Sequence, residues 1–524
     1  MTAITVRELR RARRVRRLGD LEWFEIAYRV YLAAFFGGLA VMFLSDLVSD
    51  EAVTPAQLVD VTDHGPAVIG LVAAAAVAVG LRSGSDGGPI SLEAGDARHL
   101  MMAPVTRRAV LLRPVVQRAR SMAFAAAVTG AIAGQLASRR LPGSAPAWAA
   151  SCATAGALIG VVFVAAAVIA HALALPRAAT TAAGAAVLAV QGAAVAWGWP
   201  GPGDGIGSLA MWGMRTRPAD LAAVAVVVAA AAAAALLADR LRLEPLTRRA
   251  DLVSQLHFAV TIQDLRTVVL LRRQLRGERP RPAPWIRVGR SASMSPGFAV
   301  WQRDLRGIAR YPAARIARMA ALAIAAGLAC VAVMNGTTPA MVAVGGALYL
   351  LGLDAIEPLS QEIDHPDFSD GVPVQRGWML LRHIAAPGVA LVPFGLVGAA
   401  AVAVAEPSWT VAALALAVPI AWTGACGSIV SVVRDAPDPV QPTTTNVPPE
   451  FAGFTSSLRF LIPIAISTLA SVTVLAMREA PSAGTALRMA LGDLLVIAAI
   501  GLWVLRRDEW RKRIRAFVEG GRTP

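Results

Sequence analysis

The side chains able to do chemistry are few, and their spacing narrows what that chemistry is. Lys512 is the only lysine in 524 residues, and it is flanked by Arg511 and Arg513. A Walker A phosphate-binding loop needs a lysine followed by Ser or Thr to hold nucleotide phosphates, so the chain is not expected to be a P-loop ATPase, and with short outer loops that carry no cluster of carboxylates it is not expected to be an enzyme. Cys152, Cys330 and Cys426 stand far apart in apolar runs. That leaves no CxxC metal spacing and no disulfide framework, and makes them small packing residues. The stretch 362–370, EIDHPDFSD, carries oxygen donors of the kind a divalent cation takes. Pro366 interrupts its helical spacing and no second cluster stands near it, so water-exposed carboxylates are the simpler reading and no metal or cofactor is assigned. His171 and Asp493 fall inside long apolar runs. Ionisable groups at membrane depth are candidates for proton relay or substrate contact. Plainer roles stand beside these: His171, near Arg177, at one end of a span, and Asp493, near Arg488, close to an interface.

The elements that must hold these residues are apolar. The chain is 56% hydrophobic and 16% charged, with mean hydropathy +0.57, against about a quarter charged in soluble domains. Apolar runs near span length occur at 28–48, 66–81, 121–137, 150–172, 180–199 and 221–237, and again at 319–334, 341–353, 384–404, 411–433, 460–477 and 489–505. A bilayer is crossed by about 17 to 25 such residues. The expected fold class is therefore an all-α polytopic membrane protein of about 12 transmembrane helices. The runs 66–81 and 341–353 are short and rich in Ala and Gly, as tilted, half-buried helices would be. The outer connections are expected to be short, the longest being 200–219.

Charge orients the bundle. The first twenty residues carry Arg7, Arg10, Arg11, Arg13, Arg14, Arg16 and Arg17, which the positive-inside rule places in the cytoplasm. Counting spans from there puts nearly all remaining positive charge on the same side, Arg139 and Arg140 being the main exceptions, and both termini in the cytoplasm at the plasma membrane. The start of the chain does not read as a secretory signal, because Glu22, Glu25 and Arg29 interrupt its first apolar stretch. With Trp23 and Phe24 beside the arginines it reads as an interfacial helix on anionic membrane lipid. The net charge of +15 then needs no nucleic acid to explain it.

An internal repeat organises the runs. Leu92–Arg113 reads LEAGDARHLMMAPVTRRAVLLR and Gln361–Arg382 reads QEIDHPDFSDGVPVQRGWMLLR, matching without gaps at an offset of 269 residues, the distance from Glu93 to Glu362. Pro104-Val105 falls on Pro373-Val374, Arg107 on Arg376, and Leu111-Leu112-Arg113 on Leu380-Leu381-Arg382. Six spans per copy return the second copy to the same side, so the fold reads as two parallel six-helix repeats. The expected organisation is a basic N-terminus over 1–20, a first half over 21–242, a connector over 243–297, a second half over 298–507 and a tail over 508–524. In the connector, 276–285 is Pro- and Arg-rich extended linker, and the segment around Trp301 starts an amphipathic helix.

A six-span unit with an amphipathic helix leading in, a cytoplasmic helix between its second and third spans and a Pro-Val-x-Arg sequence after it resembles the permease subunits of ABC-2 type exporters. That resemblance implies two fused permease halves and a separate ATP-binding cassette ATPase subunit as partner. It implies coupling helices at 92–108 and 361–376 that dock on that ATPase, with Glu93, Arg107, Arg108, Glu362, Asp364 and Arg376 as contact or orienting groups. The second copy is the more acidic, with Asp354, Glu357, Glu362, Asp364, Asp367 and Asp370, so the two docking contacts are not chemically equivalent. The Ala/Val/Leu-rich spans suit an amphipathic or hydrophobic substrate. A membrane scaffold or regulator of an envelope complex and an ion-coupled secondary transporter are the alternatives.

Overall fold

A computed structural model describes residues 53–85, 106–242, 280–289, 295–364, 373–434 and 461–520, with isolated positions elsewhere. It is 84% helical with no strand among the described residues. Nine of those helices are long and apolar enough to cross a membrane, or ten if one bent pair counts as a span. The run at 28–48 lies mostly outside the described residues. The run at 121–137 forms the second part of a helix in which Ser121, Thr129 and Gln135 dilute the apolar character. Chain contacts divide the protein into two compact units, 1–275 and 276–524.

In the first unit, helix α1 spans Pro55–Gly84. It is far longer than the 66–81 run because its start is fixed by capping. The Thr54 hydroxyl accepts from the Gln57 amide while the Gln57 side chain accepts from the Thr54 amide, satisfying two donors that a helix start leaves open. Helices α2 (Arg107–Ala137), α3 (Ala145–Ala172) and α4 (Arg177–Trp197) follow. Where α2 and α3 pack, Gly130 and Gly134 meet the backbone of Cys152 and Trp148, and Gly156 and Gly160 that of Ala126 and Met122. A Cβ on Gly134 would strike the Trp148 carbonyl oxygen, and one on Gly156 that of Ala126. Small residues at this spacing let two backbones approach closely and gain dispersion contacts where lipid supplies no hydrophobic drive. Trp148 seals the end of the seam, 1% exposed, with its indole N–H donating to the Pro142 carbonyl at 3.0 Å.

The segment 200–219 is not the simple outer loop expected of it. Asp204–Ala210 forms a short helix, α5, buried from Ile206 to Ala210, and it folds back onto α1. Gly203 and Gly207 let its backbone lie against Pro66 and Gly70. Gln191 of α4 pins it: its amide nitrogen donates to the Ala67 carbonyl and to Asp204 Oδ1, and its amide oxygen accepts from the Gly203 N–H, all at 2.8 Å. Asp220 holds the far side by accepting from Ser208 and from the Trp212 indole, both at 2.8 Å. Polar backbone that turns back among apolar helices must find its hydrogen bonds within the protein, and these two side chains supply them. Helix α6 (Leu221–Leu236) closes the unit.

The second unit begins with the strap 280–289, which bends at 282–283 and 285–286 and is tied to residues 309–311 through Arg281 N–H to the Arg310 carbonyl and the Trp285 indole to the Tyr311 carbonyl. Helix α7 (Pro296–Ile308) is amphipathic and contains Trp301 as the sequence implies. Helix α8 spans Ala313–Met334, and α9 (Ala340–Ala355) is followed at a bend of 61° by α10 (Glu357–Asp364). Helices α11 (Arg376–Ala405), α12 (Thr410–Arg434), α13 (Leu461–Glu479) and α14 (Ala483–Gly520) complete the unit. Arg107 and Arg376, which the sequence offset superposes, are each the first residue of a long helix, α2 and α11.

Candidate functional site

The densest chemistry among the described residues lies in the second unit, where α7, α10 and α11 meet at the foot of α8 and α9. Helix α10 reads EPLSQEID, a composition that suggests a solvated surface turn. Pro358, Leu359, Ser360, Glu362, Ile363 and Asp364 are nevertheless buried. Leu359 and Ile363 pack with Ile356, Leu380, Val433 and Val504 in a small apolar core, and this core draws the acidic residues inward. The bend from α9 lets a helix leave the span direction and lie across the foot of the unit.

Buried carboxylates are tolerated only when paired and hydrogen-bonded, and each named here has a partner. Glu362, 5% exposed, receives Arg303 Nη2 from α7 at 3.1 Å. His383 of α11 lies between two acids: Nδ1 is 2.6 Å from Asp304 Oδ2 of α7, and Nε2 is 3.4 Å from Glu362 Oε2. The second contact is a close charge approach rather than a hydrogen bond, and Nε2 has no hydrogen-bond partner. The ring can donate to both carboxylates only with a hydrogen on each nitrogen. The Asp304 and His383 side chains are both 1% exposed, so one imidazole fastens three helices in a site from which water is excluded.

A second layer fixes the bend itself. Arg318 of α8 grips Asp354 with two bonds, Nε to Oδ2 at 2.6 Å and Nη2 to Oδ1 at 2.8 Å, the forked geometry that makes Arg–carboxylate pairs strong. Arg315 donates to the Asp354 carbonyl at 2.6 Å and to Glu357 Oε2 at 3.1 Å, and its guanidinium stacks 4.1 Å from the Tyr311 ring. Burial pushes the Tyr311 phenol up from its ordinary range, with Arg315 opposing and Glu357, Asp354 and Asp304 adding to the rise. The phenol therefore stays protonated and reaches toward the Ala355 carbonyl at 3.5 Å. The site binds helices together through charge. Among the described residues no group of three or more His, Cys, Asp or Glu could hold a metal ion.

Of the residues singled out in the sequence, Glu93 and the segment 92–105 lie outside the described residues. Arg107 and Arg108 are exposed at the start of α2. Glu362 and Asp364 are buried, and Glu362 faces α7 and α11. Arg376 is half-buried at the start of α11. The outward face here is Gln361, Pro373, Val374, Gln375 and Arg382. His383, Asp304, Arg303, Arg315 and Arg318 were not singled out. The available signal was positional: His383 follows the repeated Leu-Leu-Arg where the first copy has Pro114.

The two polar groups within apolar runs have different surroundings. His171 is buried, with Nδ1 3.1 Å from the Gly84 carbonyl and Nε2 accepting from the Arg242 N–H at 3.2 Å. Nε2 also lies 3.2 Å from the Arg242 carbonyl oxygen, and these contacts tie the ends of α1 and α3 to the segment after α6. Asp493 is buried, and Oδ2 accepts from Thr473 at 3.0 Å. Arg488 instead donates to Thr485 at 3.2 Å. Cys330 and Cys426 are buried free thiols, and Cys152 is half-buried and also free.

No family model, curated protein or solved structure matches the chain.

Proposed function

We propose that this chain is the membrane permease of an ABC-type exporter, two fused six-helix halves that move an amphipathic or hydrophobic substrate with ATP hydrolysed by a separate subunit. In this reading both termini, α7 and α10 are cytoplasmic, and the arginines and Trp301 face anionic lipid. The observation that carries the reading is α10. It is bent 61° from α9 and fastened by Glu362 to α7 through Arg303 and to α11 through His383. A short helix tied by charge to two neighbours moves with them as one body, so a push on the outward face beside it is delivered to a span. The single lysine, outside any phosphate loop, supports a reading in which a partner supplies the nucleotide chemistry.

The test is co-purification from membranes with a Walker A-containing partner, comparing Arg107→Glu combined with Val374→Asp against wild type. Both substituted residues are exposed, so folding is expected to persist. The proposal expects partner recovery to fall at least tenfold, and retention of partner and ATPase stimulation at wild-type levels counts against it. A second reading, an ion-coupled carrier, is favoured by one observation: the buried Asp493 with its Thr473 bond, since acids at membrane depth mark proton paths. Loss of transport on dissipating the proton gradient in ATP-supplied vesicles would select it.

A further inference from the structure

The end of the second unit away from α10 holds a half-open apolar cavity between helices. Its wall comes from α8, α11, α12 and α13 with part of α9, all apolar helices of span length except the shorter α9. Ala326, Phe394, Gly398, Ala413 and Leu416 line it, and Trp409 stands at its edge between α11 and α12. A void with so apolar a lining does not hold water, because water there would lack the two to four polar partners it needs. Among helices of this kind the molecules available to fill it are hydrocarbon chains.

Polar residues follow the lining where three of its helices end. Directly past the lining residues Met334, Val402 and Met477 come Asn335, Glu406 and Arg478. The Asn335 side chain donates to Glu406 Oε1 at 3.2 Å, joining the ends of α8 and α11. Arg478 donates to the Val333 carbonyl and to Thr338 Oγ1, both at 3.1 Å, and pairs with Glu479 at 3.0 Å. The rim thus carries two carboxylates and one guanidinium, so a head bearing negative charge is disfavoured there while hydroxyls or a cation find acceptors.

We infer that this cavity is a binding site for one hydrocarbon chain of a single-chain amphiphile with a neutral or cationic head, the chain lying against Phe394 and Leu416 and the head at Asn335, Glu406 and Arg478. The site stands on the cavity alone, whether or not an ATPase drives the protein. Export of its occupant rests on the permease reading.

The test uses the full chain in nanodiscs of saturated phosphatidylcholine, titrated with a monoacylglycerol brominated on its chain. Bromine quenches a nearby indole, and the difference between wild type and Trp409→Phe isolates Trp409. The expected result is saturable quenching of Trp409, weakened about tenfold or more by Ala413→Phe, since occupied hydrophobic volume discriminates at that scale, and weaker for a brominated fatty acid anion. Leu414→Phe, at an exposed neighbour outside the cavity, leaves the saturable binding intact. If Ala413→Phe does not fold, Ala412→Phe narrows the same wall. Quenching that rises linearly with probe, or is matched by brominated phosphatidylcholine alone and unmoved by either filling variant, overturns the site. Neither outcome depends on partner recovery, so failure here and failure of the permease reading are separable.

Discussion

Replacing His383 by Leu removes the ring that lies between Asp304 and Glu362. Asp304 is left with a carboxylate 1% exposed and only the weak 3.7 Å approach of Arg303 Nε, while Glu362 keeps Arg303 Nη2 at 3.1 Å. Breaking a buried charge pair by deleting one partner costs about 3–5 kcal/mol, because the other charge stays buried without compensation. For a unit of this size, residues 276–524, a midpoint moves about 2–4 °C per kcal/mol, so the apparent melting temperature should fall by roughly 6–20 °C. The triple variant Asp304→Asn, Glu362→Gln, His383→Leu removes the stranded charges along with the ring. It should melt above the single variant, with about 1–2 kcal/mol or more of the loss recovered, since neutral groups cost less to bury than an unpaired charge. The assay is thermal unfolding of the purified chain in detergent, followed by tryptophan emission. A single variant as stable as the triple, or within about 0.5 kcal/mol of wild type as surface changes are, would refute the assignment of these pairs as the fastening of α10.

Other perturbations follow from the same packing. Gly156→Val places a side chain against the Ala126 carbonyl oxygen and should destabilise the first unit by about 1–3 kcal/mol, read as a lowered melting midpoint, whereas Gly192→Ala, with open space around it, should not. His171→Ala leaves the Arg242 N–H without the ring nitrogen it donates to and removes one of two contacts at the Gly84 carbonyl, at a cost of about 1–3 kcal/mol; His171→Asn should restore part of it, and a variant as stable as wild type would show that the tie carries no weight. Gln191→Leu removes three hydrogen bonds that hold α5 to α1 and should raise hydrogen exchange across 201–210 before any global loss of structure; unchanged exchange there would contradict the pinning role.

What the sequence made legible were the elements with a strong local signal. Long apolar runs became helices near their expected places, and Arg107 and Arg376, aligned by a 22-residue match, each begin one. The helix around Trp301 was legible from its mixture of Arg, Trp and Leu. Local reading failed where distant residues decide the outcome. The acidic stretch at 357–364 reads as exposed because Asp, Glu and Gln normally are. It is buried because Arg303, 59 residues before Glu362, and Arg315, 42 residues before Glu357, come to meet it. Likewise 200–219, with its Gly and Pro, carries the signals of a loop. Those glycines serve close approach to Pro66 and Gly70, and the hydrogen bonds that make burial tolerable come from Gln191, which no local pattern distinguishes.

The central proposal, a permease that borrows its ATPase, is tested most directly by measuring ATP hydrolysis for the chain purified alone and for the complex recovered with its partner from the same membranes. The account predicts no ATP binding or hydrolysis by the chain alone, a stable complex with a Walker A-containing subunit, and hydrolysis by that complex that responds to amphipathic compounds. ATP hydrolysis by the isolated chain, or the absence of any ATP-binding protein from gently solubilised, crosslinked complexes, would contradict it.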